Sequence, residues 1–459
     1  MKRHRIVLVG GGSNAWTPNL VKDMLLTDGL GDSDFVLFDI NRKASDLNAA
    51  FLEKLNGQLQ TGARFISTDD RRKALKGADY VIITISTGGL RAMAHDLAIP
   101  EQYGIHHTVG DTAGPGGWAR LVRNFGAFVS LAHDIRRLAP EAVVLNYTNP
   151  MTTLTTVLAR ILPGPVVGLC HGLFENLEFL KNLYALEREE DLSIRYAGIN
   201  HFFWITEARA KGRDLLADLR RRVRTASLTR LGRESPSTAL RALSPSKGHP
   251  DPMGFTSRHE LATEWFRMTG FLPYVADRHT CEFSSSYITD RKVMSKYRLV
   301  RTTIRERQEA MDRRGRRLRE MLRGPIGKGY FTRSRETAAD IIAAHRQGRP
   351  FIDVGNLPNL GQVANLPRGS VVETAVRVDG NGFAPIAFGE LPACVAGLVE
   401  PFCRSFDLNV EACFRGDRPM ALQALRLDPV CARLTWPQVQ ELGGRLLAAH
   451  RDYLPDKWR

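Results

Sequence analysis

Residues 5–15 of this 459-residue chain read Arg5-Ile6-Val7-Leu8-Val9-Gly10-Gly11-Gly12-Ser13-Asn14-Ala15. The apolar run predicts a buried strand, and the glycines after it predict a tight turn into a helix over residues 17–26. The spacing Gly10-x-Gly12-x-x-Ala15 is typical of a dinucleotide-binding turn, because small residues let the backbone approach a pyrophosphate at a helix N-terminus. We therefore expect Gly10, Gly12, Ser13 and Asn14 to contact a nucleotide.

Residues near the ends of the next two predicted strands indicate which nucleotide binds. A strand over residues 34–40 contains Asp39 near its end. A carboxylate there could bind both ribose hydroxyls and would repel a 2′-phosphate, so it favours NAD over NADP. A strand over residues 79–85 precedes Thr87, which we also expect at the cofactor. A tight turn in another kind of α/β protein is the alternative, and Asp39 argues against it.

The order of predicted elements indicates the fold class. Further strands over residues 143–146 and 166–169 alternate with helices, which predicts a parallel, doubly wound sheet with ligands at the carboxyl ends of its strands. From about residue 190 the pattern becomes mixed. We therefore predict an α/β fold with a nucleotide-binding domain, residues 1–190, and a second domain, residues 191–459, to which the family resemblance described below assigns an α+β fold and roles in substrate binding, catalysis and oligomerisation.

Cys170 and His201 each come just after a short apolar run. Taken singly, a buried cysteine or histidine is more often an ordinary core residue. Their matching placement at predicted strand ends favours metal binding instead, since a thiolate and an imidazole suit a divalent ion with open positions. Two protein ligands would leave room for a chelating substrate and for water.

Two loops offer candidate substrate contacts. The glycine-rich loop at 109–117 carries one carboxylate, Asp111, and the segment Asn146–Pro150 ends a predicted buried strand with Asn149. Glycines allow close packing of a substrate, and an asparagine can both donate to and accept from sugar hydroxyls. A surface loop and an Asx turn are the respective alternatives.

The segment at 273–283 is dense in acid–base groups. Arg278 could clamp a carboxylate with two hydrogen bonds. Asp277 or Tyr274 could remove a proton from a substrate. The segment alone would favour a salt-bridged loop, and the other motifs favour function.

Composition narrows the function classes. The net charge of +15 comes from 64 Lys and Arg against 49 Asp and Glu, and much of the excess lies in residues 220–224 and 313–319. Neither stretch interleaves aromatic residues, so a solvated surface is favoured over nucleic-acid binding. No apolar run predicts a transmembrane helix or a signal peptide, and six sparse cysteines predict reduced thiols. We expect a cytoplasmic protein with no nucleic-acid or membrane partner.

These residues together resemble the NAD- and metal-dependent glycosidases of glycoside hydrolase family 4. The resemblance covers nearly the whole chain, and it rests on the Gly10–Asn14 turn, Asp39, the GDTAGPGG loop at 110–117, Asn146–Pro150, Cys170-His171, Asn200-His201, Asp277-Arg278-His279, Asn356–Asn359 and Asn365–Pro367. It implies a Rossmann domain followed by an α+β domain like that of lactate and malate dehydrogenases. It also implies NAD and Mn²⁺, or another divalent metal, as cofactors and a homodimer or homotetramer as the assembly.

The resemblance further implies a route distinct from two-carboxylate hydrolysis. The sugar is transiently oxidised at C3, loses its C2 proton and eliminates the group at C1. The implied roles are metal ligands for Cys170 and His201, a substrate contact for Asn149, the acid for Asp111 or Cys170, and the base for Asp277 or Tyr274.

The residues after Cys170 indicate the substrate class. Cys170-His171-Gly172-Leu173 is similar to the α-glucuronidase and α-galacturonidase group, and it lacks the Asn or Asp that follows the cysteine in phosphoglycosidases. We therefore predict an α-hexuronidase in which His171 and Arg278 contact the substrate. The alternatives are an α-galactosidase or α-glucosidase of the same family, and a 2-hydroxy-acid dehydrogenase that accumulates NADH without a metal.

Overall fold

A computed structural model of the chain describes residues 3–234, 259–455 and 458. Within these ranges one mixed β-sheet carries helices on both faces. Its strands are β1 Arg5–Val9, β2 Asp34–Phe38, β3 Arg64–Thr68, β4 Tyr80–Ile83, β5 Val143–Asn146, β6 Val166–Gly168, β7 Ser193–Ile199, β8 Phe202–Ala210, β9 Arg213–Asp214, β10 Leu272–Pro273, β11 Phe351–Pro358, β12 Val371–Asp379 and β13 Gly382–Pro385.

The helices surround this sheet. The α-helices are α1 Thr17–Leu25, α2 Arg42–Leu59, α3 Arg71–Leu75, α4 Gly89–Glu101, α5 Gly114–Leu138, α6 Met151–Ile161, α7 Gly172–Leu183, α8 Leu215–Val223, α9 Leu228–Glu234, α10 Glu260–Thr269, α11 Asp277–Thr280, α12 Ser285–Ile288, α13 Arg291–Lys296, α14 Ile304–Arg323, α15 Ala338–Gln347, α16 Ala393–Arg415, α17 Arg418–Leu427 and α18 Trp436–His450. Short 3₁₀ turns lie at Glu189–Asp191, Cys281–Phe283, Lys328–Phe331, Pro429–Cys431 and Arg451–Tyr453. Among the helices of the described ranges, none is both long and apolar enough to cross a membrane.

The first six strands form the parallel half of the sheet, in the order β3-β2-β1-β4-β5-β6. This is the order of a doubly wound nucleotide-binding fold, and it places a crevice where β1 and β4 diverge. Gly10 follows β1 and Thr84 follows β4, so both lie at this crevice. The predicted α/β fold class with a parallel, doubly wound sheet is confirmed.

The later strands extend the same sheet with antiparallel pairs, in the order β6-β11-β12-β7-β8-β10. Two of these junctions consist of a single residue pair each. β11 pairs with β6 at Asn356↔Gly168, and β12 pairs with β7 at Glu373↔Gly198. The change from parallel to antiparallel pairing falls near the predicted domain boundary at residue 190. The sheet nevertheless continues through both parts of the chain.

Alternate residues of the strands face two different cores. In β1, Val7 and Val9 belong to one buried cluster, and Ile6 and Leu8 belong to the other. The cluster around Val7 also contains Leu446 of α18. The C-terminal helices therefore pack against the nucleotide-binding half and share its core.

A buried ionic group fastens α18 to this half. Arg123 on α5 and His450 at the end of α18 both contact the carboxylate of Asp96 on α4, at 2.6 Å and 2.8 Å. All three side chains are almost completely buried. Even with this partner, burial lowers the pKa of Arg123 to about 10. The guanidinium therefore depends on Asp96 for its stability in the core.

Asp96→Asn should destabilise the protein by about 3–5 kcal/mol, because it leaves the Arg123 guanidinium buried without an anion. The measurement is the free energy of unfolding in urea. Asp69→Asn is the matched control, since Asp69 is 64 % exposed and lies 3.8 Å from Arg42, and it should change stability by less than about 1 kcal/mol. Equal effects of the two substitutions would contradict a structural role for the buried group.

Candidate active site

Close backbone approaches require glycine at two positions of the turn after β1. Gly10 has φ +99°, and a Cβ there would lie 2.7 Å from Oγ1 of Thr84. A Cβ on Gly12 would lie 2.7 Å from Oδ2 of Asp39. The Ser13 N–H donates to the carbonyl of Gly10 over 2.9 Å, and α1 follows. The main chain thus passes close to the ends of β2 and β4, as a nucleotide-binding turn requires.

The carboxylate of Asp39 is fixed beside this turn. Its Oδ2 accepts the N–H of Gly12 over 2.9 Å, and its Oδ1 accepts the N–H of Asn41 over 2.8 Å. The side chain is only half-buried, so its remaining lone pairs are accessible for hydroxyl groups of a ligand. The role of Asp39 at a ribose stays a prediction.

Thr87 lies away from the predicted contact surface. Its N–H donates to Oδ1 of Asn124 over 3.0 Å, and its carbonyl accepts from Nε of Arg123 over 3.0 Å. Ser86, the preceding residue, lines the cavity instead. A strand end does not reveal which side chain turns toward the crevice, so the contact of Thr87 with the cofactor stays a prediction.

A cavity of about 440 Å³ connects the nucleotide turn to a group of polar side chains. Its lining includes Gly12–Trp16, Ser86, Asp111, Arg120, Asn149, Cys170, His171, His201, Tyr274, Arg278, His279 and Arg307. The turn, the predicted metal ligands and most predicted substrate contacts therefore share one continuous space. This arrangement allows a nucleotide and a small substrate to meet.

Cys170 and His201 are in direct contact, with Sγ and Nε2 separated by 3.3 Å. His201 and Asn200 form the two-residue loop between β7 and β8. His201 has φ +63°, a backbone conformation that costs a non-glycine residue about 1 kcal/mol or more. Surrounding contacts therefore hold the imidazole where it lies.

Asp111 and His279 complete the cluster. A carboxylate oxygen of Asp111 and ring nitrogens of His201 and His279 all lie within 4.8 Å of one another. The rings of His201 and His279 are 4.1 Å apart between centroids. His279 lies in a segment that matches family 4, but no role was predicted for it from the sequence, because its spacing from Cys170 and His201 contains no signal for one.

The hydroxyl of Thr112 determines which nitrogen of His201 is available. Thr112 Oγ1 donates its single proton to Oδ1 of Asp111 over 2.8 Å. It must therefore accept from Nδ1 of His201, which lies 2.9 Å away. Nδ1 then carries the ring proton, and the Nε2 lone pair faces Cys170 and the centre of the cluster. Fixing a tautomer in this way is typical of metal-binding histidines.

Burial controls the charges in the cluster. It lowers the pKa of His201 to about 4, and it lowers the pKa of His279 well below its usual value, with His201 adding to the shift. Both rings are therefore neutral near pH 7 and can donate lone pairs. Burial alone would raise the pKa of Asp111, but the nearby guanidinium of Arg120 and the hydrogen bond from Thr112 oppose this effect, and that pKa lies below its ordinary range. Asp111 is thus an ionised carboxylate.

The thiol of Cys170 is the group whose charge depends on an added cation. Burial, helped by the nearby carboxyl of Glu373, raises the pKa of Cys170 above its ordinary value. A coordinated divalent ion reverses this effect and deprotonates the thiol. Cys170, the neutral ring of His201 and the carboxylate of Asp111 therefore fit a divalent metal.

Asn149 lies beside the cluster. Its Nδ2 donates to Oδ2 of Asp111 over 3.2 Å. Its Oδ1 is buried and has no hydrogen-bond partner among the described residues. Because an unpaired buried oxygen is unfavourable, a ligand hydroxyl that donates to Asn149 would be stabilising.

The two candidate bases occupy different environments. Asp277 is 2 % exposed, and its two oxygens accept the N–H groups of Leu261 and Ala262, each over 3.0 Å, at the start of α10. It does not line the cavity described above. Tyr274 does line it, and its ring stacks beside His201 with centroids 6.0 Å apart. Of the two candidates, only Tyr274 lies beside the cluster.

The remaining predicted contacts are basic. His171 lines the cavity, and its Nδ1 lies 3.4 Å from Oε1 of Glu336. Arg278 is 8 % exposed and donates to the hydroxyl of Thr302. Arg307, which sequence analysis missed, also lines the cavity from α14. The sequence does contain a pattern that predicts a cavity-facing side of α14, because Arg307, Ala310, Met311 and Arg314 recur at helical spacing and all line the cavity.

A buried carboxylate holds the loop that carries Asp111. Glu282 accepts the N–H groups of Val109 and Gly110 over 2.7 Å and 2.9 Å, and it lies 3.2 Å from Nδ1 of His107. His107 Nε2 in turn accepts the N–H of Gly116 over 3.2 Å. Neither Glu282 nor His107 was predicted from the sequence to have this role. These contacts fix both ends of the glycine-rich loop next to the cluster.

Family models agree with these features. The model described as "Family 4 glycosyl hydrolase" matches residues 5–186, and the model of the C-terminal domain of the same family matches residues 196–431. An α-galacturonidase of Bacillus subtilis (strain 168) is 33 % identical over 93 % of this chain and 93 % of its own length. This chain belongs to the family 4 glycosyl hydrolases.

Other members of family 4 are similar to this chain in sequence and in structure. An α-galactosidase of Bacillus subtilis (strain 168) is 31 % identical over 98 % of this chain and 99 % of its own length. The crystal structure of the Bacillus subtilis protein lplD is 30 % identical, with a TM-score of 0.86 over 97 % of this chain and 100 % of that one. The predicted family and fold are therefore confirmed over nearly the full length.

Thr112→Val should weaken Mn²⁺ binding by about 10- to 100-fold, because it removes the hydroxyl that fixes the His201 tautomer while it preserves side-chain volume. Thr112→Ser keeps the hydroxyl and should bind Mn²⁺ nearly as tightly as the parent. Isothermal titration calorimetry of the metal-free family 4 protein with Mn²⁺ provides the measurement. Equal affinities of the valine and serine variants would contradict this role of the hydroxyl.

Proposed function

We propose that this family 4 protein is an NAD- and divalent-metal-dependent α-hexuronidase that acts on an α-glucuronide or an α-galacturonide. The observation that carries the proposal is the single cavity that contains the nucleotide turn, the Cys170–His201 pair and several arginines. A nucleotide, a metal and an anionic sugar would each find matching groups there. The proposed catalytic or binding residues are Gly10, Gly12, Ser13, Asn14 and Asp39 for NAD, Cys170 and His201 for the metal, and Asn149, His171 and Arg278 for the sugar.

The cofactors are supported by the chemistry of the site. The turn at Gly10 and the carboxylate of Asp39 fit NAD, and the donor atoms of Cys170 and His201 fit a divalent metal. The structure of a 6-phospho-α-glucosidase from gut microorganisms, which shares the fold, is described as a complex with NAD and Mn²⁺. When bound, NAD would supply reversible hydride transfer at C3, and the metal would supply Lewis-acid polarisation of the sugar oxygens.

The substrate class is supported by charge. Arg120, Arg278 and Arg307 line the part of the cavity that also contains Asp111. Nε of Arg307 is buried and has no hydrogen-bond partner among the described residues. A guanidinium pairs with a planar carboxylate through two hydrogen bonds. These arginines therefore favour a uronic acid over a neutral hexose.

The names of similar proteins also favour a uronic acid as the substrate. Proteins named α-galacturonidase from Bacillus subtilis and from Thermoanaerobacter italicus are 33 % and 29 % identical to this chain. The alternatives are also represented, since relatives named α-galactosidase and α-glucosidase are 31 % and 28 % identical. We therefore keep both as alternatives to the α-hexuronidase activity.

The residues of this chain then have separate tasks. Asn149 would orient a sugar hydroxyl with its buried Oδ1, and the ionised Asp111 would orient a second hydroxyl. Tyr274 is the proposed base at C2, because it lines the cavity beside His201. Burial raises the pKa of Tyr274 well above its ordinary value, and a divalent cation in the adjacent cluster would oppose that shift.

Two further parts of the proposal concern the assembly and the compartment. All six cysteines of the sequence are free thiols in the structure, which supports a reducing, cytoplasmic environment. We also propose a homodimer or homotetramer, as the resemblance to family 4 implies. Size-exclusion chromatography with light scattering would measure the number of subunits.

Protein freed of nucleotide should regain hydrolysis on addition of NAD⁺ together with Mn²⁺, without a net rise in NADH, because the hydride returns to the sugar. The assay compares nitrophenyl α-glucuronide, α-galacturonide, α-glucoside and α-galactoside. One of the two uronides should give the highest kcat/KM. Full activity in rigorously NAD-free protein would overturn the cofactor proposal, and stoichiometric NADH accumulation would indicate a dehydrogenase.

Tyr274→Phe should abolish deuterium incorporation at C2 during turnover in D₂O, because the phenol oxygen is the proposed base. Asp277→Asn should instead lower the free energy of unfolding by about 1–3 kcal/mol, since one of the two capped N–H groups loses its acceptor, while the folded fraction keeps its exchange. Mass spectrometry of the product measures the exchange. The reverse pattern would assign the base to Asp277, and hydrolysis without any exchange in the parent would contradict elimination.

A further inference from the structure

Helix α14 borders two parts of the cavity, the end that contains Asp111 and the nucleotide turn after β1. Gly315 of α14 is buried, and a Cβ there would lie 3.2 Å from Nδ2 of Asn14, so the helix backbone packs directly on the turn. Arg314, the residue before Gly315, lines the cavity. We propose that Arg314 binds the pyrophosphate of NAD, so that the C-terminal part of the chain completes the nucleotide site. This inference rests on the proposed function, because it concerns the NAD of the same cavity.

The nucleotide turn has no positively charged side chain of its own for a pyrophosphate. Residues 10–16 contain no lysine, arginine or histidine. The turn therefore offers only backbone N–H groups and the partial positive charge at the N-terminus of α1. Each phosphate of a pyrophosphate is negatively charged, and a guanidinium pairs with phosphate oxygens through two parallel hydrogen bonds. Arg314 is half-buried beside the turn, so its guanidinium would balance this charge.

The spacing of two arginines on α14 separates the sugar from the pyrophosphate. Arg307 lies near enough to Asp111 for that carboxylate to oppose the lowering of the Arg307 pKa. Arg314 follows Arg307 by seven residues, which places both on one face of the helix and about 10 Å apart along its axis. Hydride transfer requires the sugar to lie at the nicotinamide end of NAD, and a ribose separates the nicotinamide ring from the pyrophosphate. Arg307 at the sugar therefore places Arg314 on the side of the phosphates.

Hydrogen bonds at both ends hold α14 in this position. At its start, Oε2 of Glu306 accepts the N–H of Thr303 over 2.7 Å, and Oγ1 of Thr303 accepts the N–H of Glu306 over 3.2 Å. Near its end, Nζ of Lys54 donates to the carbonyls of Met321 and Leu322 over 2.8 Å and 3.1 Å. Lys54 belongs to α2, the helix that follows β2. The helix is thus positioned against the nucleotide-binding half before NAD binds, which lowers the entropic cost of binding.

The test is NAD⁺ binding to the full-length protein in the absence of sugar, measured by calorimetry. Arg314→Gln should raise the Kd for NAD⁺ by about 10- to 100-fold, because it removes charge-assisted hydrogen bonds to phosphate oxygens. Arg316→Gln is the matched control, since it removes the same charge from an exposed residue that lies about 200° around the helix from Arg314. The control should change the Kd by less than about 2-fold, because water and salt screen an exposed charge.

Charge reversal at the same two positions provides a second comparison. Arg314→Glu should weaken NAD⁺ binding more than Arg314→Gln does, because a carboxylate would repel the pyrophosphate, whereas Arg316→Glu should stay within about 3-fold of the parent. Circular dichroism confirms that each variant is folded. Equal Kd values for the Arg314 variants and the parent, or equal losses at both positions, would overturn the role of Arg314 and leave the proposed function intact. A parent that binds no NAD⁺ would overturn both.

Discussion

The buried carboxylate of Glu282 is the constraint on which the site depends. A charge without partners in a protein interior is unfavourable by several kcal/mol. Glu282 is 1 % exposed, and the N–H groups of Val109 and Gly110 satisfy it. Burial opposes its ionisation, but His107 and these hydrogen bonds lower the pKa of Glu282 overall. The chain therefore cannot bury Glu282 without bringing the glycine-rich loop to it. Asp111 directly follows Gly110, and His279 lies three residues before Glu282. The hydrogen bond between Gly110 and Glu282 therefore also fixes the distance between Asp111 and His279.

A second buried carboxyl acts where the two halves of the sheet meet. Glu373 on β12 accepts from Nδ2 of Asn356 over 2.9 Å and from Nδ2 of Asn200 over 3.3 Å. Asn356 also donates to the carbonyl of Gly168 over 3.3 Å. Cys170 follows Gly168 by two residues, and His201 follows Asn200 directly. This network thus links the strand before the thiol to the loop that carries the imidazole. Burial raises the pKa of Glu373 to about 7, so the junction avoids the full cost of a charge in the core.

Sequence alone predicted the parts of the site that depend on local chain geometry. The glycine turn and Asp39 follow strands whose apolar runs are unambiguous, and the same logic located Cys170. Sequence alone cannot predict the parts of the site where long-range packing decides which way a side chain points. Residues 277–280 form one helical turn, so the side chains of Asp277 and His279, two positions apart, point in nearly opposite directions. No periodicity over four residues can show which one faces the cavity. Asp277 consequently caps α10 whereas His279 joins the cluster. Strand β3 and the residues Thr112 and Glu282 were missed for the same reason, since their roles arise from partners distant in sequence.

Part of the chain's excess positive charge lies on α14, a helix that lines the cavity. The arginine-rich segment at 313–319 belongs to α14, and the cavity-facing side of that helix begins at Arg307. Burial lowers the pKa of Arg307, and Arg120 and Arg278 add to that shift while Asp111 opposes it. The protein without substrate therefore keeps a partly desolvated guanidinium whose Nε is unpaired among the described residues. A neutral sugar would exclude water from the Arg307 guanidinium without offering it a negative charge. A uronate would also exclude water, but its carboxylate would form an ion pair with the guanidinium. Selectivity for an acidic sugar would then arise mainly from the penalty imposed on the neutral one, in the way that buried polar groups reject substrates that cannot satisfy them.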